Sequence, residues 1–154
     1  MKRLLAILAA LLLGSLLISG PARAQLAVPA LSGHVMDATG TLPATQHAQL
    51  ESKLAAFEQA QGAQVVVLLV TTTQPEDIAS YANRVANTWK IGRKAVGDGL
   101  LLVAALQDRK VRIEVAKTLE GAIPDLAAKR IIDQAITPKF KQGDYAGGLD
   151  AGTD

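Results

Sequence analysis

The sequence predicts a layered α/β domain, and three observations predict it. Residues 64–71, QVVVLLVT, are a short, continuously apolar, β-branched run, as expected of a strand covered on both faces. Helical patterns flank that run on either side. A second apolar run, Leu100 to Leu106, is followed after a four-residue turn by alternating Val111, Ile113 and Val115. The order helix, strand, helix, hairpin, helix, helix calls for helices layered on a sheet.

Each element has its own signals. Residues 25–34 hold Pro and Gly with no period and form a lead-in segment. Val35-Met36-Asp37 is a short extended piece that ends in the Ala38-Thr39-Gly40 turn. Leu50, Leu54 and Phe57 recur at i, i+4 and i+7, giving an amphipathic helix over 43–61 that Gly62 stops. Pro75-Glu76-Asp77 opens a second helix, with Ile78, Ala82, Val85 and Trp89 on one stripe and Gly92 at its end. The two strands of the hairpin run antiparallel, since their turn is so short. Arg112 and Glu114 share the wet face of the second and read as a surface pair. Pro124-Asp125 opens a third helix over 125–136, which Pro138 closes. Asp144 caps a fourth, glycine-rich helix. The chain stops at Asp154 within it, so the natural protein is expected to continue.

The first 24 residues are not part of this fold. Lys2 and Arg3 precede an apolar stretch from Leu4 to Ile18, and Ala22-Arg23-Ala24 is a cleavage pattern. This is a secretory signal. A membrane anchor, the rival reading, needs about 20 apolar residues, more than this run supplies. The protein is therefore expected in the periplasm or otherwise exported, as a monomer. The whole chain has a formal charge of +2, but residues 25–154 carry 13 Lys and Arg against 14 Asp and Glu. Nothing in that balance points to nucleic acid. With no cysteine, disulfides and thiolate zinc sites are excluded. The two histidines, His34 and His47, lack partners at metal-ligand spacing.

The acidic residues are the remaining candidates for chemistry. Asp98 stands between two glycines at the mouth of the strand 100–106. A lone carboxylate carried into the interior would cost several kcal/mol, so Asp98 belongs at the strand's rim, in water, or facing a cation. There it is either an Asp-Gly turn residue or part of a site. A right-handed crossover makes strands 64–71 and 100–106 parallel. The end of the hairpin, with Glu120 and then Asp125, returns to Asp98's rim. Asp37 falls at the other edge, unless the linker 90–99 crosses the sheet end to end. Asp37, Asp98, Glu120 and Asp125 would together form a hard-oxygen site suited to Ca²⁺, Mg²⁺ or Mn²⁺. There is no EF-hand loop, P-loop or G-x-S-x-G elbow, so neither nucleotide nor haem is expected and no nucleophile can be named. Lys90, Arg93 and Lys94 could meet a phosphate; a solvated loop is the plainer reading.

A set of ordered pieces resembles the TPM domain family of bacterial exported proteins and plant thylakoid-lumen proteins. They are Val35-Met36-Asp37, Gln61-Gly62-Ala63-Gln64 before VVVLLV, Tyr81-Ala82, Trp89-Lys90-Ile91-Gly92, GDGLLLVA, DRKVRIEV, LEGAIPD and PKFKQGDYAGGL. The resemblance covers residues 35–154. It implies a three-layer α/β/α sandwich around a small mixed β-sheet. It also implies a divalent-cation site, calcium above all, at Asp37, Asp98, Glu120 and Asp125. Plant members are described as acid phosphatases, and some members carry a membrane helix after the domain. Where the family has Gly-x-Gly after the hairpin, this chain has Ala116-Lys117-Thr118, losing backbone freedom and adding a cation. Two readings of function follow. One is a non-catalytic envelope module that binds a partner protein, with calcium at most structural. The alternative is a metal-dependent acid phosphatase acting on phosphomonoesters.

Overall fold

The computed structural model describes residues 24–154; the signal segment expected over residues 1–24 lies outside them except for its last residue. Four strands form one sheet: β1 (Val35–Asp37), β2 (Gln64–Val70), β3 (Gly99–Ala105) and β4 (Lys110–Val115). They lie side by side in chain order. The first three are parallel, and β4 runs antiparallel to β3.

The helices follow the chemistry of their ends. α1 (Ala44–Gln61) stops where Gly62 takes a left-handed conformation, φ +81°. α2 (Ile78–Trp89) starts later than the Pro75-Glu76-Asp77 signal suggests. The Asp77 carboxylate accepts hydrogen bonds from the Ala79 and Ser80 N–H groups, 3.0 Å each, so it is the cap and not a residue of the first turn. A 3₁₀ turn (Lys117–Leu119) follows β4. α3 (Asp125–Ile131) does not end before Pro138. It passes through a π-helical stretch, Ile132–Ile136, into α4 (Thr137–Phe140). Proline lacks an N–H and crowds the preceding turn, and wider turns just before it let the chain remain helical. α5 (Tyr145–Gly152) is capped by Asp144, whose carboxylate accepts from the Gly147 N–H at 2.9 Å.

Alternation along the strands builds two cores. Val67, Leu69, Leu102 and Ala104 face α1 and the α3–α5 group, where they meet Leu50, Leu54, Ile136 and Leu149. Val66, Leu68, Leu101 and Val103 face the other way, onto Tyr81, Ala82 and Val85 of α2. The result is three layers, α/β/α, around a mixed sheet. β2 and β3 are buried on both faces, and each fully buried Val or Leu contributes roughly 1.5–3 kcal/mol. The lead-in segment belongs to the second core. Leu26, Val28 and Leu31 pack there, the Trp89 Nε1 donates to the Pro29 carbonyl at 2.7 Å, and Arg84 donates to the Leu26 carbonyl at 2.8 Å.

The chain steps from β1 to β2 to β3 in one direction along the sheet, yet α1 and α2 cover opposite faces. The two crossovers therefore have opposite hands. One of them is left-handed, against the strong right-handed preference.

Candidate functional site

The site forms where β2 and β3 begin and β4 ends. Gln64 is level with Gly99, and Leu100 with Val115. The turn after α2 crosses this rim closely. Gly92 has φ +95°, and a Cβ on Gly99 would run into the Ile91 carbonyl, so backbone lies against backbone at both glycines. Gln64 Oε1 accepts from the Gly92 N–H at 2.8 Å, and the Thr118 hydroxyl donates to the Gly97 carbonyl at 2.8 Å. The glycine after Asp98 thus serves chain packing.

Asp98 is 3 % exposed. Its Oδ1 accepts from the Arg93 N–H at 2.8 Å, and its Oδ2 accepts from Arg93 Nε at 2.7 Å and lies 2.5 Å from Nη2. The Arg93 guanidinium holds the carboxyl below its ordinary pKa, against a smaller opposing effect of burial. Buried but fully paired, Asp98 is neither a solvent-facing turn residue nor an open ligand. Arg93, read from the sequence as a solvated loop residue, is its counter-ion.

Beside this pair a cleft of about 380 Å³ opens between α2, the end of β4 and the 3₁₀ turn. Its polar lining comes from Asn83, Asn87, Lys90, Glu114, Lys117 and Glu120. Asn83 donates to Glu114 Oε1 at 3.1 Å and accepts from Asn87 at 2.9 Å. Arg112 grips the other Glu114 oxygen at 3.1 and 3.2 Å, the surface pair expected from the strand. Lys90, Lys117 and Glu120 form no ion pair among the described residues. The cleft therefore offers amides and both signs of charge to a polar partner.

The four acidic candidates do not share a site. Because β1, β2 and β3 are parallel, the linker before Asp98 does not carry Asp37 across the sheet. Asp37 pairs with Leu69 at the far end of β2. There it closes a turn: Oδ1 accepts from the Thr39 N–H (2.9 Å) and hydroxyl (2.6 Å), Oδ2 from the Leu42 N–H (2.8 Å). Burial opposes its ionisation, but these hydrogen bonds outweigh burial and lower its pKa. Asp98 is closed by Arg93. Glu120 lines the cleft, and Asp125 opens α3 in solvent. Among the described residues, no three His, Asp or Glu side chains form a group able to hold a metal ion. A divalent ion on all four carboxylates does not fit this arrangement.

Two groupings were hidden in the sequence. The Asn83–Asn87 pair is spaced i, i+4 on the wet face of α2, a signal overlooked among its polar residues. His34 bridges two acids of α1, with Nδ1 2.8 Å from Glu51 and Nε2 2.6 Å from Glu58. Glu51 also accepts the His34 and Val35 N–H groups at 2.7–2.9 Å. Burial works against protonating His34, but the bonds to Glu58 and Glu51 prevail and raise its pKa. Glu51 and Glu58, seven apart, share a helix face, but only the fold brings His34 onto it.

Comparison with known proteins agrees with the fold. The family model for the TPM domain, TPM_phosphatase, matches residues 35–154. Three NMR structures are similar. The N-terminal domain of a P. gingivalis protein is 31 % identical with a TM-score of 0.71, over 77 % of this chain and 75 % of that one. The BA42 protein from the psychrophilic bacterium Bizionia argentinensis is 23 % identical with a TM-score of 0.64, over 75 % and 78 %. The N-terminal domain of the cg2496 protein from Corynebacterium glutamicum is 16 % identical with a TM-score of 0.62, over 84 % of each chain. The latter two show the fold alone. No curated protein matches. The model match over most of the chain, and the 31 % identity across three quarters of it, place this protein in the TPM domain family.

Proposed function

We propose that this TPM domain is a non-catalytic binding module of the cell envelope, exported by its N-terminal segment, that presents the cleft beside Asp98 to a polar partner protein. The pairing of Asp98 with Arg93 carries this reading. A carboxylate whose two oxygens already accept hydrogen bonds from the Arg93 N–H and Nε and pair with its guanidinium has a structural task, and the surface next to it is built for hydrogen bonding. Lys117 adds a cation to the cleft wall.

The second reading, a phosphatase, is favoured by the name of the family model, which is a statement about the family. Phosphomonoester hydrolysis separates the two. The purified domain, assayed with para-nitrophenyl phosphate at acid and neutral pH with Ca²⁺, Mg²⁺ or Mn²⁺, should give no turnover above that of Asp98→Asn. Metal-dependent turnover lost in Asp98→Asn would overturn the module reading. Thermal melts in the same ions test the calcium expectation separately, since an ion held only by the folded state raises Tm.

A further inference from the structure

We propose that the opposite rim of the sheet carries a binding site for a small amphiphilic anion. A cavity of about 510 Å³ lies where β3 ends and β4 begins, closed on the other side by α4 and the start of α5. Leu106, Val111, Phe140 and Tyr145 give it apolar walls. The two rings hold each other edge to face, centroids 5.1 Å apart at 69°. Three cations, Arg109, Lys110 and Lys141, share the lining, and no carboxylate does.

The cations are uncompensated. None of the three forms an ion pair among the described residues. Lys110 is felt by Asp108, but that carboxylate turns away to accept from Thr72 and from the Thr73 N–H. Asp144 caps α5 and sits 3.7 Å from Lys139. Three free cations gather here although acids outnumber bases over residues 25–154. Arg109 also has φ +53°, a conformation usually left to Gly or Asn. Apolar walls alone would suit a neutral molecule, and cations alone any anion. Together they select an anionic head on an apolar body, in a cavity of the size that small ligands fill. A free amphiphile or a lipid could supply that chemistry. The site is distinct from the cleft beside Asp98, at the other end of the same strands.

Decanoate, decanol and acetate separate the two halves of the site. Followed by amide chemical shifts of the whole domain, decanoate should perturb Leu106, Val111, Phe140 and Tyr145. Decanol and acetate should each bind at least about tenfold more weakly. Arg109→Gly, which suits the left-handed backbone, combined with Lys141→Gln should weaken decanoate about tenfold and leave Tm unchanged. Decanol binding as tightly as decanoate, shifts mapping elsewhere, or an unaffected double variant would each overturn the proposal. Sedimentation with phosphatidylglycerol vesicles, lost in the double variant, would identify the anion as a lipid. Decanoate binding without sedimentation would identify a free amphiphile.

Discussion

His34 shows how single residues set the behaviour of this molecule. Its two ring nitrogens face Glu51 and Glu58, so the protonated ring is the form that both carboxylates stabilise. The folded pKa of His34 is raised. Its contribution is complete below the unfolded value, about 6.5, and is lost as pH rises through the folded value. Glu51 is lowered, because the N–H groups and ring of His34 outweigh burial. Its contribution is present above its unfolded value, about 4.3, and is lost as pH falls through the folded one. Wild type should thus exceed His34→Ala most between about pH 4.5 and 6.5, by about 1 kcal/mol for carboxylates this exposed. Urea melts at several pH values check this; a gap that widens above pH 7 would refute the charged bridge. The same scale is where the sequence was least legible. The sequence sets Asp98 at a rim, but nothing local marks Arg93, five residues earlier, as its partner, because a loop's path decides which side chains meet.

At the scale of elements, most of the secondary structure was legible. The helices α1 and α2 follow from apolar spacing, and β2 and β3 from unbroken apolar runs. Gly62 and Asp144 act as a stop and a cap, as their residue types suggest. Pro138 misled, because a wider turn absorbs a proline that would otherwise end a helix. The opposite hands of the two crossovers could not be read, since periodicity says which residues face inward but not which face a helix will cover. Close approach of two turns is another feature without a local signal. Gly99→Ala would drive a methyl into the Ile91 carbonyl and should cost about 1–3 kcal/mol. Gly121→Ala meets nothing within 4 Å and should be neutral within about 0.5 kcal/mol. Equal melting temperatures for the two variants would contradict the packing described.

As a whole, the molecule consists of two cores that share one sheet. Ile136 lies in the first and Val85 in the second, on opposite faces of the sheet. Ile136→Val should cost about 0.5–1.5 kcal/mol, and Val85→Ala roughly two buried methylenes, about 1.5 kcal/mol or more. The double variant should equal their sum within about 0.5 kcal/mol. Trp89, the single tryptophan, reports on the second core, and the Phe140–Tyr145 pair on the first. Their urea transitions should coincide, because the strands between them belong to both; separate midpoints would show two independently melting halves. The layered fold was legible from the order of elements, whereas the gathering of four acids was not realised. That expectation rested on where loops would travel, and Asp37 stayed at its own end of the sheet.

The last helix has a consequence for how the chain is made. Leu149 is fully buried in the first core, and Lys53 of α1 reaches across to Asp150 and Asp154. Until α5 emerges, a growing polypeptide must leave the first core without Leu149 and Lys53 of α1 without its two carboxylate partners. Such an incomplete chain exposes apolar surface and is open to aggregation and proteolysis, so the cooperative core closes only when this helix has docked.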